Sequence, residues 1–268
     1  MTSTQTFSLD RFRLDGRVAF LSGAAGHLGS AMAEALSAAG AHLILNGRDK
    51  KTLEEVAHEI SRHDDRHECH AFDVGDLEKV RAFFASRQRV DIIVNNAVSM
   101  RVTPFDELSE SEFETTYRTA VVAPFEIVRA ALPALRKAVA EVGEASIVNV
   151  ASMYGTVAPD PRLYSNPAQA SPFHYGPAKA ALLQLTRHLA SAFGREHIRV
   201  NSLVPGPFPR DSVQSADPAF AGRLADRTML GRTGHPEEIA GPLLFLASPA
   251  SSFVTGTTLA VDGGWTVW

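Results

Sequence analysis

A glycine-rich turn between an apolar run and a helical run constrains the fold of this chain more than any other feature. Arg17–Ser22 is a short apolar segment typical of a buried strand, and glycines recur over residues 23–29. The helical run Ser30–Ala39 follows and stops at Gly40, and His42–Asn46 is a second apolar strand. This order predicts a β–α–β unit.

The glycine turn of this unit predicts a binding site for the diphosphate of a dinucleotide. Glycines let the backbone bend sharply and approach a phosphate, whose charge is stabilised by the free N–H groups and the dipole at the start of the helix. His27 stands within the turn, where it either contacts a phosphate or faces solvent as a loop residue. The predicted contacts are Ser22, Gly23, Gly26, His27, Leu28 and Gly29.

Apolar runs alternate with helical runs along the rest of the chain. Five further strands are predicted at Cys69–Val74, Val90–Asn95, Ala145–Ala151, Ile198–Val204 and Thr258–Asp262. Seven strands separated mostly by helices predict an α/β fold, a doubly wound parallel sheet with helices on both faces. Because no internal repeat or linker divides the chain, residues 1–268 are predicted to form one domain with an N-terminal extension at 1–15.

Composition argues against partners that are polyanions or membranes. The chain of 268 residues is 45% hydrophobic and carries a net charge of -4, which offers no basic field to attract nucleic acid or anionic lipid. The single Cys69 excludes an internal disulfide, and no run is long and apolar enough for a signal peptide or a membrane span. We therefore expect a cytoplasmic protein with no nucleic-acid or membrane partner.

A group of metal-ligating residue types, His63, His67, Cys69 and His70, lies in one short stretch of the sequence. Cys69 and His70 begin a predicted strand, in which successive side chains point to opposite faces. The sequence therefore predicts no metal site here.

Tyr175 and Lys179 lie one helical turn apart in the run YGPAK and are expected on the same face of a helix. A free tyrosine has a pKa near 10, so near neutrality it both donates and accepts a proton only where positive charge stabilises the phenolate. Lowering that pKa by about three units requires roughly 4 kcal/mol, which a partly desolvated cleft allows and an exposed pair does not. The pair either lies in a pocket or belongs to a solvated surface helix.

Taken in order, the motifs of this chain resemble those of the classical short-chain dehydrogenases/reductases over nearly its whole length. The matching motifs are the glycine turn, Asp73-Val74, Asn95-Asn96-Ala97, Ser152, Tyr175 with Lys179, Pro205-Gly206, the segment Gly231–Ile239 and the closing Val261–Gly264. Within the family, the end of the second strand and the long stretch before Tyr175 are most similar to gluconate 5-dehydrogenase-type members. The resemblance implies a Rossmann-like sheet, a homotetramer or homodimer, and substrate loops at 157–173 and 207–230.

The resemblance also implies an oxidoreductase mechanism. Tyr175 would pass a proton to or from the substrate oxygen while hydride moves to or from a nicotinamide. Ser152 would hold that oxygen, and Lys179 would lower the tyrosine pKa and bind the nicotinamide ribose. Besides the glycine turn, the implied cofactor contacts are Asn46, Arg48, Asp73, Val74, Asn95, Ala97, Tyr175, Lys179, Pro205, Gly206 and Phe208.

The chain departs from the family pattern at four places. His27 replaces a further glycine, and Ala120 stands where the family has a catalytic asparagine, so that either water substitutes in the proton relay or turnover suffers. The stretch Pro159–Pro172 is longer than is usual, and Arg210 stands where a threonine is usual. Donors for a hydroxylated or anionic substrate in the long stretch are Arg162, Tyr164, Asn166 and Gln169, although Arg162 and Arg210 also fit an ordinary surface role.

The end of the second strand predicts the cofactor. Enzymes that prefer NAD commonly place an acidic side chain here, which binds the ribose hydroxyls and repels the extra phosphate of NADP. The corresponding residue is Gly47, and Arg48 offers planar charged donors to a 2′-phosphate, while Asn46 repels neither cofactor. NADP(H) is therefore favoured, and NAD(H) is the alternative if Arg48 stacks on the adenine.

Two surfaces suggest contacts between subunits. Arg129–Lys137 is an amphipathic surface helix, for which subunit packing is favoured over membrane attachment. The C-terminal Trp265–Trp268 is apolar and would be costly to leave wholly in water. Both are expected to lie at subunit interfaces.

The sequence leaves two classes of function. The favoured class is an NAD(P)(H)-dependent oxidoreductase that interconverts a carbonyl and a secondary alcohol on a small oxygenated substrate such as a sugar acid or polyol. A 3-oxoacyl-thioester ketoreductase is the alternative within that class, because only the loops differ. The other class is a catalytically impaired nucleotide-binding regulator, motivated by Ala120, and the retention of Ser152, Tyr175 and Lys179 argues against it.

Overall fold

The computed structural model describes residues 8–61, 67–166 and 170–268, and its centre is a sheet of seven parallel strands. The strands are β1 (Val18–Ser22), β2 (His42–Gly47), β3 (Glu68–Ala71), β4 (Ile92–Asn95), β5 (Ala145–Val150), β6 (Ile198–Pro205) and β7 (Thr258–Val261). Their order is β3-β2-β1-β4-β5-β6-β7, and each neighbouring pair is parallel. The predicted doubly wound α/β sheet is confirmed.

Helices cover both faces of the sheet because neighbouring residues of each strand point to opposite sides. The helices are α1 (His27–Ala38), α2 (Lys50–Ile60), α3 (Leu77–Ala85), α4 (Glu110–Tyr117), α5 (Ala123–Val142), α6 (Tyr175–Phe193), α7 (Asp211–Ala216), α8 (Pro218–Arg227) and α9 (Ala240–Ala247). In β1, Leu21 packs in a core layer with residues of α1, α2 and α9, whereas Phe20 packs in a second layer with residues of α3, α5 and α6.

Two element boundaries differ from the sequence prediction by three residues. Helix α1 begins at His27 rather than Ser30, so Gly29 lies inside its first turn. Strand β3 ends at Ala71 rather than Val74, and Asp73 lies in the loop that follows, where its Oδ1 accepts the N–H of Gly75 at 2.8 Å. This side-chain bond favours a turn over continued strand pairing.

The strand order fixes where a ligand is expected. Chain connections run outward in opposite directions from the neighbouring strands β1 and β4, so a crevice opens at their carboxyl ends. The motif residues that follow β1, β4, β5 and β6 all lie at this edge. The fold therefore brings together segments that are far apart in the sequence.

The chain termini partly pack on this core. Leu14, within the predicted N-terminal extension, is buried, and Arg11 donates to the carbonyl oxygen of Pro249 at 3.1 Å. At the other end Trp265 is already buried within the subunit, whereas Trp268 is 61% exposed. The expectation that the whole C-terminal segment lies at a subunit interface is therefore wrong for Trp265.

Two of the residues considered above as metal ligands, His67 and His70, have other hydrogen-bond partners. Ring nitrogens of His67 contact the Leu43 N–H at 3.3 Å and the Ser37 hydroxyl at 3.1 Å, and His70 contacts Glu68 at 2.9 Å. Within the described ranges no group of three His, Cys, Asp or Glu residues is placed to hold a metal, and His63 lies outside those ranges. The same part of the chain contains no helix with the length and apolarity needed to cross a bilayer.

Candidate active site

A cavity of about 620 Å³ occupies the crevice at the carboxyl edge of the sheet. Its volume lies in the range of cofactor and small-molecule sites. The predicted site residues that line it are Gly23, Gly26, His27, Leu28, Asn46, Arg48, Asp73, Val74, Ala97, Ser152, Tyr175, Lys179, Pro205, Gly206 and Phe208. The structure thus brings most of the predicted set to one cavity.

The glycine turn forms one wall of this cavity. Gly23 has a φ of +66°, and a Cβ there would lie 3.0 Å from the Cα of Ala97. A Cβ on Gly29 would collide with the carbonyl oxygen of Gly23, so both positions require glycine. The N-terminus of α1 has no side-chain cap, and the buried Nε2 of His27 has no hydrogen-bond partner among the described residues. Free backbone donors and an unpartnered imidazole nitrogen fit an anionic group.

Three predicted contacts lie behind the cavity wall instead of lining it: Ser22, Gly29 and Asn95. The Ser22 Oγ accepts the N–H groups of Asn96 and Ala97 at 3.0 and 3.1 Å, which joins the ends of β1 and β4. Asn95 is buried, and its Nδ2 donates to the Oδ1 of Asn149 at 2.8 Å. The Ser22 and Asn95 side chains position the residues that do line the cavity.

Ser152, Tyr175 and Lys179 line the same cavity as the glycine turn. Ser152 follows β5, and its Oγ accepts the N–H of Tyr154 at 3.2 Å. Tyr175 and Lys179 lie in the first turns of α6, on one face as predicted. The Lys179 Nζ donates to the carbonyl oxygen of Val150 at 2.7 Å and lies 5.7 Å from the centre of the Tyr175 ring.

The electrostatics of this group differ from the sequence expectation. Burial raises the pKa of the Tyr175 phenol, and a hydrogen bond with the Ser152 side chain only partly opposes that rise. Burial also lowers the pKa of the Lys179 ammonium to about 8. The expected lowering of the tyrosine pKa is not found, because desolvation dominates and the ammonium is bonded to Val150. The phenol is therefore protonated near neutrality, which suits donation of a proton to a substrate oxygen.

The end of β2 forms the far end of the cavity. Asn46 is buried and donates to the carbonyl oxygens of His70 and Phe72 at 3.1 Å each, so its amide group holds the β3 loop. The Asp49 carboxylate accepts the N–H of Thr52 at 2.9 Å and caps α2. Arg48 is exposed on the cavity wall, and no described acceptor pairs with its guanidinium.

A π-helical turn, Arg118–Val122, contains the position of the missing asparagine. Ala120 is buried, and the neighbouring Thr119 lines the cavity. The Thr119 Oγ1 accepts the N–H of Ser99 at 2.9 Å, and the Thr116 Oγ1 donates to the Ser99 carbonyl oxygen at 2.8 Å. The two threonines therefore fix the loop after β4 against the cavity.

The long stretch before Tyr175 is held by its own contacts. Arg162 forms bonds of 2.9 and 2.7 Å to the Asp160 carboxylate, and the hydroxyl of Tyr164 lies 3.0 Å from that of Tyr154. Of the other predicted donors, Asn166 is described and has a contact of its own, whereas Gln169 lies outside the described residues. None of the described donors of this stretch lines the cavity.

Several cavity residues were missed by sequence reasoning. They are Ala25, Gly47, Asp49, Thr52, Phe72, Asn96, Val98, Ser99, Met100, Thr119, Val150, Ala151 and Arg210. Asn96 lies within the Asn95-Asn96-Ala97 motif, and Arg210 follows the Pro205-Gly206 motif. The sequence could therefore have indicated both residues. Ser99 and Thr119 carry no motif, and only their mutual hydrogen bond places them at the cavity.

The geometry can be compared with known proteins. A family model described as "Enoyl-(Acyl carrier protein) reductase" matches residues 23–266. Galactitol 2-dehydrogenase (L-tagatose-forming) of Cereibacter sphaeroides is 36% identical over 96% of this chain and 98% of its own length. The chain belongs to the short-chain dehydrogenase/reductase family.

Two further proteins that are similar to this chain are named for different substrates. The crystal structure of a gluconate 5-dehydrogenase from Burkholderia cenocepacia J2315, in complex with NADP and tartrate, superposes with a TM-score of 0.84 at 32% identity and covers 98% of this chain and 100% of that chain. The rhamnolipids biosynthesis 3-oxoacyl-[acyl-carrier-protein] reductase of Pseudomonas aeruginosa is 31% identical over 94% of this chain and 97% of its own length. This family member is an NAD(P)-dependent oxidoreductase of CH–OH groups.

Proposed function

We propose that the chain is an NADP(H)-dependent oxidoreductase that interconverts a ketone and a secondary alcohol on a small polyhydroxylated substrate. The observation that carries the proposal is that Ser152, Tyr175 and Lys179 line one cavity together with the glycine turn. The glycine turn accommodates the cofactor diphosphate, and the three side chains lie where a substrate oxygen meets the nicotinamide. Residues 1–268 act as one domain, with 157–173 and 207–230 on the substrate side.

The three side chains have different roles at the substrate oxygen. The cofactor, when bound, supplies or accepts the hydride. In reduction the protonated Tyr175 phenol donates its proton to the carbonyl oxygen, while the Ser152 hydroxyl donates a hydrogen bond to the same oxygen as negative charge develops. Lys179 is positively charged near pH 7, since its pKa is about 8, and stabilises the phenolate that remains. In oxidation the proton moves in the opposite direction, from the substrate hydroxyl to the Tyr175 phenolate.

The free guanidinium of Arg48 supports NADP(H) as the cofactor. Position 47 carries no carboxylate, and a side chain there would be crowded, because a Cβ on Gly47 would lie 3.2 Å from the Cδ2 of Leu53. The carboxylate of Asp49, next to Arg48 in the chain, is engaged in capping α2. The several NADP-bound structures among its relatives agree with this preference.

Cofactor affinity tests this preference directly. We expect wild type to bind NADPH at least about 10-fold more tightly than NADH, and Arg48→Ala to weaken NADPH by about 10- to 100-fold with little effect on NADH, because it removes a charge-assisted phosphate contact. Lys50→Ala is the matched control, since Lys50 is exposed beside Glu54 at 3.5 Å and does not line the cavity. Equal affinity of wild type for both cofactors would refute the preference.

Polyol and sugar-acid dehydrogenases among the relatives support a polyhydroxylated substrate. The 3-oxoacyl-thioester reductase alternative rests on relatives of lower identity, 31% and 28% against 36%, 33% and 32%. A panel of ketoses, oxidised aldonates and a 3-oxoacyl thioester, assayed with NADPH by absorbance, separates the two. We expect turnover of the first two groups, and turnover of the thioester alone would favour the alternative. No turnover of any carbonyl would favour a nucleotide-binding regulator.

We further propose a cytoplasmic homotetramer. Exposed apolar side chains on α4 and α5 include Phe113 and Phe125, with Val122 just before α5, and those at the C-terminus include Val267 and Trp268. Large apolar side chains that are exposed on a subunit are commonly covered by contacts between subunits. We assign the group at α4 and α5 and the group at the C-terminus to two kinds of contact between subunits, as a tetramer with dihedral symmetry requires.

A further inference from the structure

A second unpaired arginine lines the cavity besides Arg48. Arg210 follows β6 and precedes α7, its side chain is exposed, and among the described residues no carboxylate or other acceptor pairs with its guanidinium. An arginine left unpaired on a cavity wall retains all five of its N–H donors for a ligand. Its guanidinium is therefore available to a ligand, unlike that of an arginine held in a surface ion pair.

Every other arginine of the two substrate loops already has a partner. Arg162 is bonded to Asp160, and Arg223 donates to the carbonyl oxygen of Leu163 at 2.6 Å. Arg227 lies over the ring of Trp265, with 5.9 Å to its centre. These arginines build the loops, which leaves Arg210 as the loop arginine that can bind a ligand.

The strand order places Arg210 at the catalytic end of the cavity. β5 carries Ser152 at its end and pairs directly with β6, whose end leads to Arg210. Arg48 follows β2, which is separated from β6 by the three strands β1, β4 and β5. At about 4.8 Å between neighbouring strands, the ends of β2 and β6 are roughly 19 Å apart. The two arginines therefore serve different anions.

We propose that Arg210 binds a carboxylate of the substrate, so that the enzyme acts on a hydroxy acid of the sugar-acid type in preference to the corresponding neutral polyol. The inference rests on the proposed oxidoreductase function and specifies its substrate. A planar guanidinium matches a carboxylate with two parallel hydrogen bonds, whereas a neutral hydroxyl gains only one weaker bond. The rival anion is the diphosphate of the cofactor, which the test separates.

Tartrate and threitol form a matched pair of probes, since they share a four-carbon skeleton and differ by two carboxylates in place of two CH₂OH groups. We expect the wild-type complex with NADPH to bind tartrate more tightly than threitol in calorimetric titration. Arg210→Gln should weaken tartrate about 10- to 100-fold and change threitol and NADPH less than about threefold. Arg195→Gln, with the same change of net charge on an exposed residue before β6, should change none of the three.

Each result of these titrations shows which part of the proposal is wrong. Wild type that binds threitol as tightly as tartrate, or an Arg210→Gln variant with unchanged tartrate affinity, overturns the inference. A variant that loses NADPH affinity while its preference for tartrate persists assigns Arg210 to the cofactor diphosphate and also overturns it. Steady-state oxidation of gluconate and glucitol gives an independent readout, in which KM for gluconate alone should rise. Wild type that oxidises neither compound and reduces no carbonyl contradicts the proposed function itself.

Discussion

At the scale of single residues, the chemistry depends on a buried phenol whose pKa is raised rather than lowered. In the proposed mechanism the hydroxyl of Tyr175 is the proton donor that a ketone requires, and desolvation keeps its proton in place near neutrality. Lys179 contributes after the proton has left, because an ammonium stabilises the phenolate and not the phenol. The charge of this pair therefore matters in the transition state more than in the resting enzyme.

Tyr175→Phe tests this role. The substitution removes the transferable proton and almost no surface, so we expect turnover to fall by about 10² to 10⁴ while the dissociation constant for NADPH stays within about twofold. Absorbance assays of turnover and a fluorescence titration with NADPH provide the two numbers. A variant that keeps most of its activity would exclude the phenol as the proton donor.

Lys179→Met should affect both turnover and NADPH affinity. In the proposed mechanism the ammonium stabilises the phenolate and binds the nicotinamide ribose. We expect turnover to fall at least about 10²-fold and NADPH affinity to fall about 10-fold. The bond from Nζ to the Val150 carbonyl is also lost, so circular dichroism must first establish that the fold is intact. Unchanged NADPH affinity would remove the ribose contact from the assignment.

Ala120→Asn restores the side chain that the family usually has at this position. If water fills the space, we expect turnover to stay the same or to rise, since the asparagine would fix the proton relay that the water supplies. Thr119→Ser serves as the neighbouring control because it keeps the hydroxyl that holds Ser99. A large fall in turnover with an intact fold would mean that the position has been rebuilt for another purpose.

Most of the cavity was predictable at the residue scale because its contacts come from motifs with a fixed place at strand ends. Ser152 and Arg48 are such residues, and Tyr175 was predictable from its spacing to Lys179 at the start of a helix. Ser99 was not predictable, since hydrogen bonds from Thr116 and Thr119 bring it to the wall and sequence spacing gives no sign of them. Arg162 was misleading, because its type suggested a ligand contact and only the structure pairs it with Asp160.

At the scale of elements, the edge strand β3 is tied to the rest of the fold by a charged cluster as well as by its pairing with β2 and the packing of Cys69 on the core. Its four residues are all partly exposed. Glu68 lies 2.7 Å from Arg87 and 2.9 Å from His70. Burial raises the pKa of the Glu68 carboxyl, but the hydrogen bonds from these two residues outweigh it and lower that pKa from 4.5 to about 2.

This shift predicts a pH-dependent contribution to stability. A carboxyl with a lowered pKa in the folded state stabilises the fold fully above pH 4.5, and the contribution is lost as pH falls from about 4.5 towards 2. Because the Glu68 side chain is 40% exposed, solvent screening limits the effect to about 1 kcal/mol. We expect Glu68→Gln to destabilise the protein in urea unfolding at pH 7 and progressively less below pH 4.5.

The exposed Glu59→Gln on α2 is the control for removal of a carboxylate outside the cluster and should have little effect at any of these pH values. A difference between wild type and Glu68→Gln that stays constant from about pH 7 to 3.5 would assign the effect to packing and not to ionisation.

Element types were easier to predict from the sequence than their limits. Strand β2 matches its apolar run to within one residue, because buried parallel strands are largely apolar on both faces. The start of α1 was placed too late, since a glycine inside the first helical turn looks like part of a loop. Gly29 belongs there because of its contact with the Gly23 backbone, which is a tertiary property.

At the scale of the whole molecule, the order of strands explains why the site is long and has chemically different ends. Each step across the sheet moves the site by one strand spacing, so that phosphate selection after β2 and catalysis after β5 occur in one cavity without competing for the same side chains. This separation allows cofactor preference and substrate preference to change independently.

The same view assigns the remaining exposed apolar surface to subunit contacts. Phe125 on α5 is 45% exposed, and Trp268 at the C-terminus is 61% exposed. A tetramer with dihedral symmetry uses two distinct self-complementary interfaces, so a charge placed at the centre of one should leave dimers held by the other. We expect Phe125→Glu and Trp268→Glu each to give dimers in sedimentation velocity at micromolar concentration, and the double variant to give monomers. Each species should remain folded, because both side chains are largely exposed in the subunit. A monomeric wild type, or single variants that stay tetrameric, would show that these patches do not hold the subunits together.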